Sequence, residues 1–255
     1  RNKQLLSWFI WLIGTALFMY CWQRVSESTT WFFVLDAPRI AADIGSRMIP
    51  PRWSYITELW KPLWDTLNIA TIGTMMAIVM AVPVAFLAAR NTSPSTRFIR
   101  PLALLIIVSS RSINSLIWSL LLVSIIGPGV VAGIFAISLR SIGFIAKLLY
   151  EAIEEIDKTQ VEAVTASGAN SLQILIYGIV PQILPAFAGI SVFRWDINIR
   201  ESTVLGLVGA GGIGLQLNAS LNVLAWPQVT LILILILIAV IFSEWISAKV
   251  RHAII

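Results

Sequence analysis

The segment Val229 to Trp245 is nearly unbroken leucine, isoleucine and valine. Such a run approaches the roughly 20 residues with which a helix crosses a bilayer. Several other apolar, nearly uncharged runs of similar length accompany it. Across the 255 residues, 58% are hydrophobic and 12% are charged. A soluble domain carries about 25% charged residues, and a soluble chain of this size cannot hide so much apolar surface. The chain is therefore embedded in a membrane.

Six spans follow from the pattern: Leu5 to Gln23, Leu63 to Ala89, Pro101 to Ile126, Val130 to Tyr150, one within Leu172 to Arg200, and Val229 to Trp245. The first run is read as a retained helix, because no small-residue cleavage site follows it. A polar, proline-containing stretch from Arg24 to Pro62 forms a loop, Gly127-Pro128-Gly129 marks a tight turn, and a glycine-rich, polar stretch leads to Pro227. In the outer loop Ile40, Ile44 and Met48 recur every fourth residue beside Arg39, Asp43 and Arg47, an amphipathic pattern suited to a membrane surface or a partner. The basic residues gather at the ends of apolar runs. Arg1 and Lys3, then Arg90, Arg97 and Arg100, then Lys249 and Arg251 all fall on one side of a six-span chain. By the positive-inside rule that side is cytoplasmic, with both termini there and the 24–62 loop outside.

This distribution accounts for the net charge of +5 without nucleic acid. A single cysteine, Cys21, permits no internal disulfide. With His252 as the only histidine, far away in sequence, neither a metal site nor a Cys/His nucleophile is expected.

The segment 151–173 is too polar to span and too patterned for a plain loop. Glu151 to Ile156 continues a helix out of the membrane. Asp157 and Thr159 can cap a short helix, Gln160 to Ser167, Gly168 suits its left-handed end, and Asn170 or Ser171 can cap the next helix. Ala163, Ala166 and Ala169 near the bend allow another backbone to approach closely.

Glu162-Ala163-Val164, then Gly168, then Pro181 resembles the Glu-Ala-Ala loop of ABC importer permeases, with Val164 in place of the second alanine, and Gly178 and Val180 in place of isoleucine and leucine before the proline. Lys147 to Glu154 and Asn198 to Gly214, with Arg111-Ser112 and Ile117-Trp118, are similar to the permeases of phosphonate and methionine importers. The long outer loop and six spans look more like the phosphonate permease, whose relatives include phosphite transporters. The resemblance implies a single all-α membrane permease domain over residues 1–255, with the six-helix type I ABC importer fold. It implies a cytoplasmic coupling helix, in which Glu162, Ala163, Ala166, Gly168 and Ala169 contact an ATPase. It also implies a homodimer, two ATP-binding subunits that hold the ATP and Mg, and a periplasmic or lipid-anchored solute-binding protein that delivers a phosphonate or phosphite. No Walker A pattern occurs in this chain, so hydrolysis is expected of a separate subunit.

Charges inside the spans point to the cargo. Arg111, Arg140 and Arg194 lie near mid-membrane, where a charge costs about 2.5–3.5 kcal/mol. Arg111, Asn114, Ser115 and Trp118 recur at helical spacing as one stripe. Arg194, Asn198 and Glu201 share a face of the fifth span, and Asp196 with Arg200 forms an i,i+4 pair on the opposite face. The expected pathway residues are Arg111, Asn114, Arg194, Asn198, Arg200 and Glu201, because the planar arginine fork matches a tetrahedral oxyanion; structural ties to Asp196 or Glu201 are the competing role. Gly209, Gly211 and Gly214 satisfy G-x-G-x-x-G, but no strand–turn–helix unit surrounds them, so no dinucleotide site is expected. A permease for methionine or another small solute is the nearest alternative. An ion-coupled transporter would require an internal repeat or carboxylates within its spans, and only Asp196 and Glu201 qualify. A membrane enzyme lacks any set of nucleophile, base and metal ligands.

Overall fold

The computed structural model describes residues 2–254 and is helical throughout its regular structure. It divides into two compact units, one ending at Pro50 and one beginning at Pro51.

The first unit holds α1 (Asn2–Ser28) and α2 (Trp31–Met48). Trp8, Trp11, Leu12 and Phe18 of α1 are all exposed, and its apolar side chains surround the whole helix. Such a helix suits lipid rather than water. The polar stretch after it is not the loop expected from the sequence. It forms α2, with Pro38 inside the helix and Trp31 donating its indole N–H to Ser26 O at 3.2 Å. The Ile40, Ile44 and Met48 pattern is the helical period of that element. Asp43 and Arg47 pair at 3.0 Å on its exposed face, a contact that contributes little in water.

The second unit is built around α3 (Ile56–Ala88) and α6 (Val130–Glu154). Ala70, Gly73, Ala77, Ala81, Ala85 and Ala88 form a buried row along α3. Small residues at three- and four-residue spacing let helices approach closely in a membrane, where dispersion and hydrogen bonds replace the hydrophobic drive. At Gly73 an added Cβ would come within 2.9 Å of Ile137 Cγ2, and Ser138 Oγ donates to Gly73 O at 2.9 Å. The remaining long helices, α9 (Val180–Leu205) and α11 (Trp226–Ile254), complete the bundle. Five helices of the described chain are long and apolar enough to cross a membrane, or six spans if the bent pair below counts as one.

The third expected span is that bent pair. It consists of α4 (Ile99–Ser112) and α5 (Ser115–Ile126), which meet at 88°. Ile113 and Asn114 are extended, and Asn114 Oδ1 accepts the N–H of Leu116 at 3.1 Å as the cap of α5. The stripe from Arg111 to Trp118 is therefore interrupted: Arg111 ends one helix, while Ser115 and Trp118 begin another.

The glycine-rich stretch is also more regular than expected. Gly206 to Val208 makes one tight turn, Gly209 is left-handed at φ 90°, and α10 (Ile213–Asn222) follows. Ile213 N–H donates to Thr66 Oγ1 at 2.8 Å, which fastens the stretch to α3. Its glycines serve close packing: a Cβ on Gly214 would come within 2.9 Å of Gly206 Cα. No strand precedes them among the described residues.

Candidate substrate path and coupling segment

Past α6 the chain turns at Glu155 and enters α7 (Lys158–Ala166). Asp157 Oδ1 accepts Thr159 N–H at 2.9 Å, so Asp157 caps the helix and Thr159 lies within its first turn, two residues earlier than the sequence suggested. Gly168 adopts φ 84°, the left-handed end expected of it. Asn170 and Gln173 form a reciprocal capping box, with both bonds at 2.9 Å, at the start of α8 (Ser171–Gln173).

Val161 and Ile156 pack against the main apolar cluster, together with Leu175 and Ile179. Glu162, Ala163, Ala166 and Gly168 are exposed, and Ala169 is half-buried. Thus α7 is pinned by one face and presents the other, small-residue face outward. From Ile174 to Ile179 the helix winds wide, and Val180 N–H reaches back five residues to Leu175 O. Pro181 follows and has no N–H to close an ordinary turn. Gln182 ties the two ends of this segment together. Its Oε1 accepts Asp157 N–H at 2.9 Å, and its Nε2 donates to Gly178 O at 2.6 Å and to Asp157 O at 3.4 Å. Nothing in the local pattern around Gln182 signals this contact, which spans 25 positions.

Deeper in the bundle, one face of α9 carries the expected polar residues. Arg194 is 3% exposed, Asn198 fully buried, and Glu201 16% exposed at its side chain. Glu201 is shared by two arginines: Arg140 Nη1 at 2.7 Å to one oxygen and Arg194 Nη2 at 3.4 Å to the other. Arg194 Nε also donates to Ser141 Oγ at 2.9 Å, and its guanidinium lies 5.1 Å from the Phe144 ring centre. Asn198 Nδ2 donates to Thr74 Oγ1 at 2.7 Å and to Ser141 Oγ at 3.1 Å. Arg140 reaches Ser115 Oγ at 3.2 Å, just past the break between α4 and α5. Two cations against one carboxylate leave this cluster with a formal charge of +1.

Arg111 and Asn114 are exposed at the same break. Ser110 Oγ bonds Leu139 O and accepts Gly143 N–H at 2.9 Å, which holds the end of α4 against α6. Arg200 lies apart from this group. It is about half exposed and pairs with Asp196, whose other oxygen accepts Ser243 Oγ of α11 at 2.7 Å. The structure therefore brings Arg194, Asn198 and Glu201 together, adds Arg140, Ser141 and Thr74, and places Arg200 in a separate tie between helices. A groove of about 440 Å³ between α3, α9 and α11 is walled by Leu67, Thr71, Trp195, Leu235 and Phe242 and touches none of these arginines. Its chemistry suits apolar contact, not an oxyanion.

The family model described as "Binding-protein-dependent transport system inner membrane component" matches residues 81–252. The chain is 38% identical over 241 residues to the phosphite transport system permease protein PtxC of Stutzerimonas stutzeri, covering 94% of this chain and 86% of the relative. It is 38% identical over 206 residues to the phosphate-import permease protein PhnE of Mycolicibacterium smegmatis, covering 81% of this chain but only 38% of that longer protein. In three dimensions it resembles a chain of the inward-facing MetNI methionine ABC transporter, with a TM-score of 0.70 at 22% identity over 80% of this chain and 99% of the other. The fold is thus that of type I importer permeases, and the chain belongs to the family of binding-protein-dependent transport system inner membrane components.

Proposed function

We propose that the chain forms the translocation path of an ATP-driven importer for phosphonate- or phosphite-type oxyanions. The observation that carries this reading is the 38% identity to a phosphite permease across 94% of the chain. The cationic cluster of Arg140 and Arg194 supplies matching chemistry inside a largely apolar bundle. As a permease subunit the chain moves solute and leaves ATP hydrolysis to a separate subunit. In this reading two copies assemble with two ATP-binding subunits, which hold the ATP and Mg, and a periplasmic or lipid-anchored binding protein docks outside. Both termini and α7 then face the cytoplasm, and residues 24–62 face outward. Glu162, Ala163, Ala166, Gly168 and Ala169 meet the ATPase, so that closure of the two ATPases drives α7 and the attached α9. Arg111, Asn114, Arg194, Asn198 and Glu201 line or support the path, with Arg200 at its margin.

A methionine permease is the second reading, favoured by the fold match to a methionine transporter. At 22% identity that match speaks for the fold alone. Reconstitution of the permease with its ATPase and binding protein in liposomes, followed by uptake of labelled phosphite, methylphosphonate and methionine, separates the two. Uptake of either phosphorus oxyanion that falls in Arg111→Ala and Arg194→Ala, with assembly retained, is the expected result. Uptake of methionine alone would refute the reading.

A further inference from the structure

We propose that Arg140 and Arg194 form the seat for a tetrahedral oxyanion, and that the carboxylate of Glu201 occupies this seat as a built-in stand-in which the substrate displaces. The inference rests on the oxyanion reading above and names its binding site.

The geometry of Glu201 is that of a bound anion. Each of its two oxygens accepts from a different arginine, at 2.7 and 3.4 Å. Two guanidinium groups converging from separate helices, α6 and α9, present N–H donors to one point. A phosphorus oxyanion presents a similar pair of oxygens on each of its O–P–O edges, and arginine is the residue whose fork fits such a pair.

The partners of the three side chains differ in a way that assigns their roles. Arg194 is fixed from behind by Ser141, by the ring of Phe144 and by near-complete burial. Arg140 is 31% exposed and reaches Ser115 at the first turn of α5. Entry is therefore from the Arg140 side, beside the break between α4 and α5. Among the described residues, the Glu201 carboxylate is held by these two arginines alone. By contrast, Asp196 on the opposite face is 4% exposed and is held by a hydroxyl from another helix as well as by Arg200. Asp196 has the environment of a tie, and Glu201 that of an exchangeable occupant.

Charge gives the direction of exchange. With Glu201 in place the cluster is formally +1, and with Glu201 withdrawn it is +2. An anion that enters is attracted in either state and neutralises more charge as Glu201 leaves. Near the bilayer centre an uncompensated charge is costly, so the carboxylate also stabilises the empty path. Glu201 lies one turn from the end of α9, directly before the turn at Gly206, where a modest shift of the helix end carries it off the arginines. A resident carboxylate further limits how tightly the oxyanion is held, which transport requires for release.

The test uses the whole importer complex in nanodiscs, with inorganic phosphite and methylphosphonate as probes and methionine as the control. Glu201→Gln keeps the side chain's size and removes its charge. It is expected to lower the phosphite concentration needed for half-maximal thermal stabilisation by about tenfold relative to the unmutated complex, because the competing charge is gone. Arg140→Gln is expected to abolish stabilisation and uptake together. If Glu201→Gln fails to assemble, Glu201→Asp retains the charge, draws it back from Arg194 and is expected to shift in the same direction. Unchanged half-saturation in the assembled Glu201 variant, or full uptake by Arg140→Gln, would overturn the proposal. Those failures, in a complex that still imports phosphite, leave the oxyanion reading standing; import of methionine without phosphite removes both.

Discussion

Gln182 offers the sharpest test of the proposed coupling between α7 and α9. Replacing it by leucine keeps the bulk of a half-buried side chain and deletes the link between Asp157, at the start of α7, and Gly178, at the foot of α9. Three contacts, at 2.9, 2.6 and 3.4 Å, are lost. Asp157 is exposed, so water replaces its partner at small cost. Gly178 is buried, and loss of its side-chain donor falls on a carbonyl within the wide turn. The net loss is about 1–3 kcal/mol. Because the link joins α7 to α9 and is not part of the apolar core, the loss should appear as weakened coupling. A coupling energy of about 1–3 kcal/mol corresponds to roughly 5–150-fold. Uptake and ATP hydrolysis measured in the same proteoliposomes should show hydrolysis retained and the solute imported per ATP reduced by about tenfold. An unchanged ratio in Gln182→Leu would refute a coupling role for this link.

Three further substitutions separate the forces in the bundle. In Gly143→Ala the new Cβ would lie 2.8 Å from Ser110 Oγ and 2.9 Å from Arg111 Cγ, with the Ile107 carbonyl closer still; overpacking should cost about 1–3 kcal/mol and lower the melting temperature of the purified permease. Gly168→Ala meets nothing within 4 Å, so its cost is the left-handed backbone alone, about 1–2 kcal/mol, visible as faster hydrogen exchange over residues 158–173 with the global melt little changed. Ser243→Ala removes the hydroxyl from Asp196 in a buried setting and should cost about 1–3 kcal/mol in the melt, while the relation between uptake and phosphite concentration stays as it was.

What the sequence made legible was local. Asp157, Gly168 and Asn170 announce their roles because capping depends on neighbours within a few residues. The face shared by Arg194, Asn198 and Glu201 follows from helical period alone. The break after Ser112 was hidden because it contains neither glycine nor proline; only Asn114 marks it, and an asparagine inside an apolar run reads equally well as a pore residue. Helix α2 was hidden for the opposite reason, since Pro38 and the surrounding charges resemble a loop while the backbone remains helical. Partnerships between elements, such as Arg194 with Ser141 or Gln182 with Asp157, depend on which helices become neighbours, and that information is spread over the whole chain.

The wide turn from Ile174 to Ile179 has a consequence for how this chain can vary in length. A turn closed from residue i to i−5 holds one more residue than an α-turn. Removing one residue there lets the turn tighten to ordinary winding while the helix on either side keeps its orientation. The same deletion at Ile190 would rotate everything beyond it by about 100° and turn Arg194, Asn198 and Glu201 away from Ser141 and Arg140. The wide turn is thus a slack link in an otherwise rigid rod: a one-residue deletion between the exposed segment and the charged face is absorbed at Ile174–Ile179, whereas the same deletion within α9 is not.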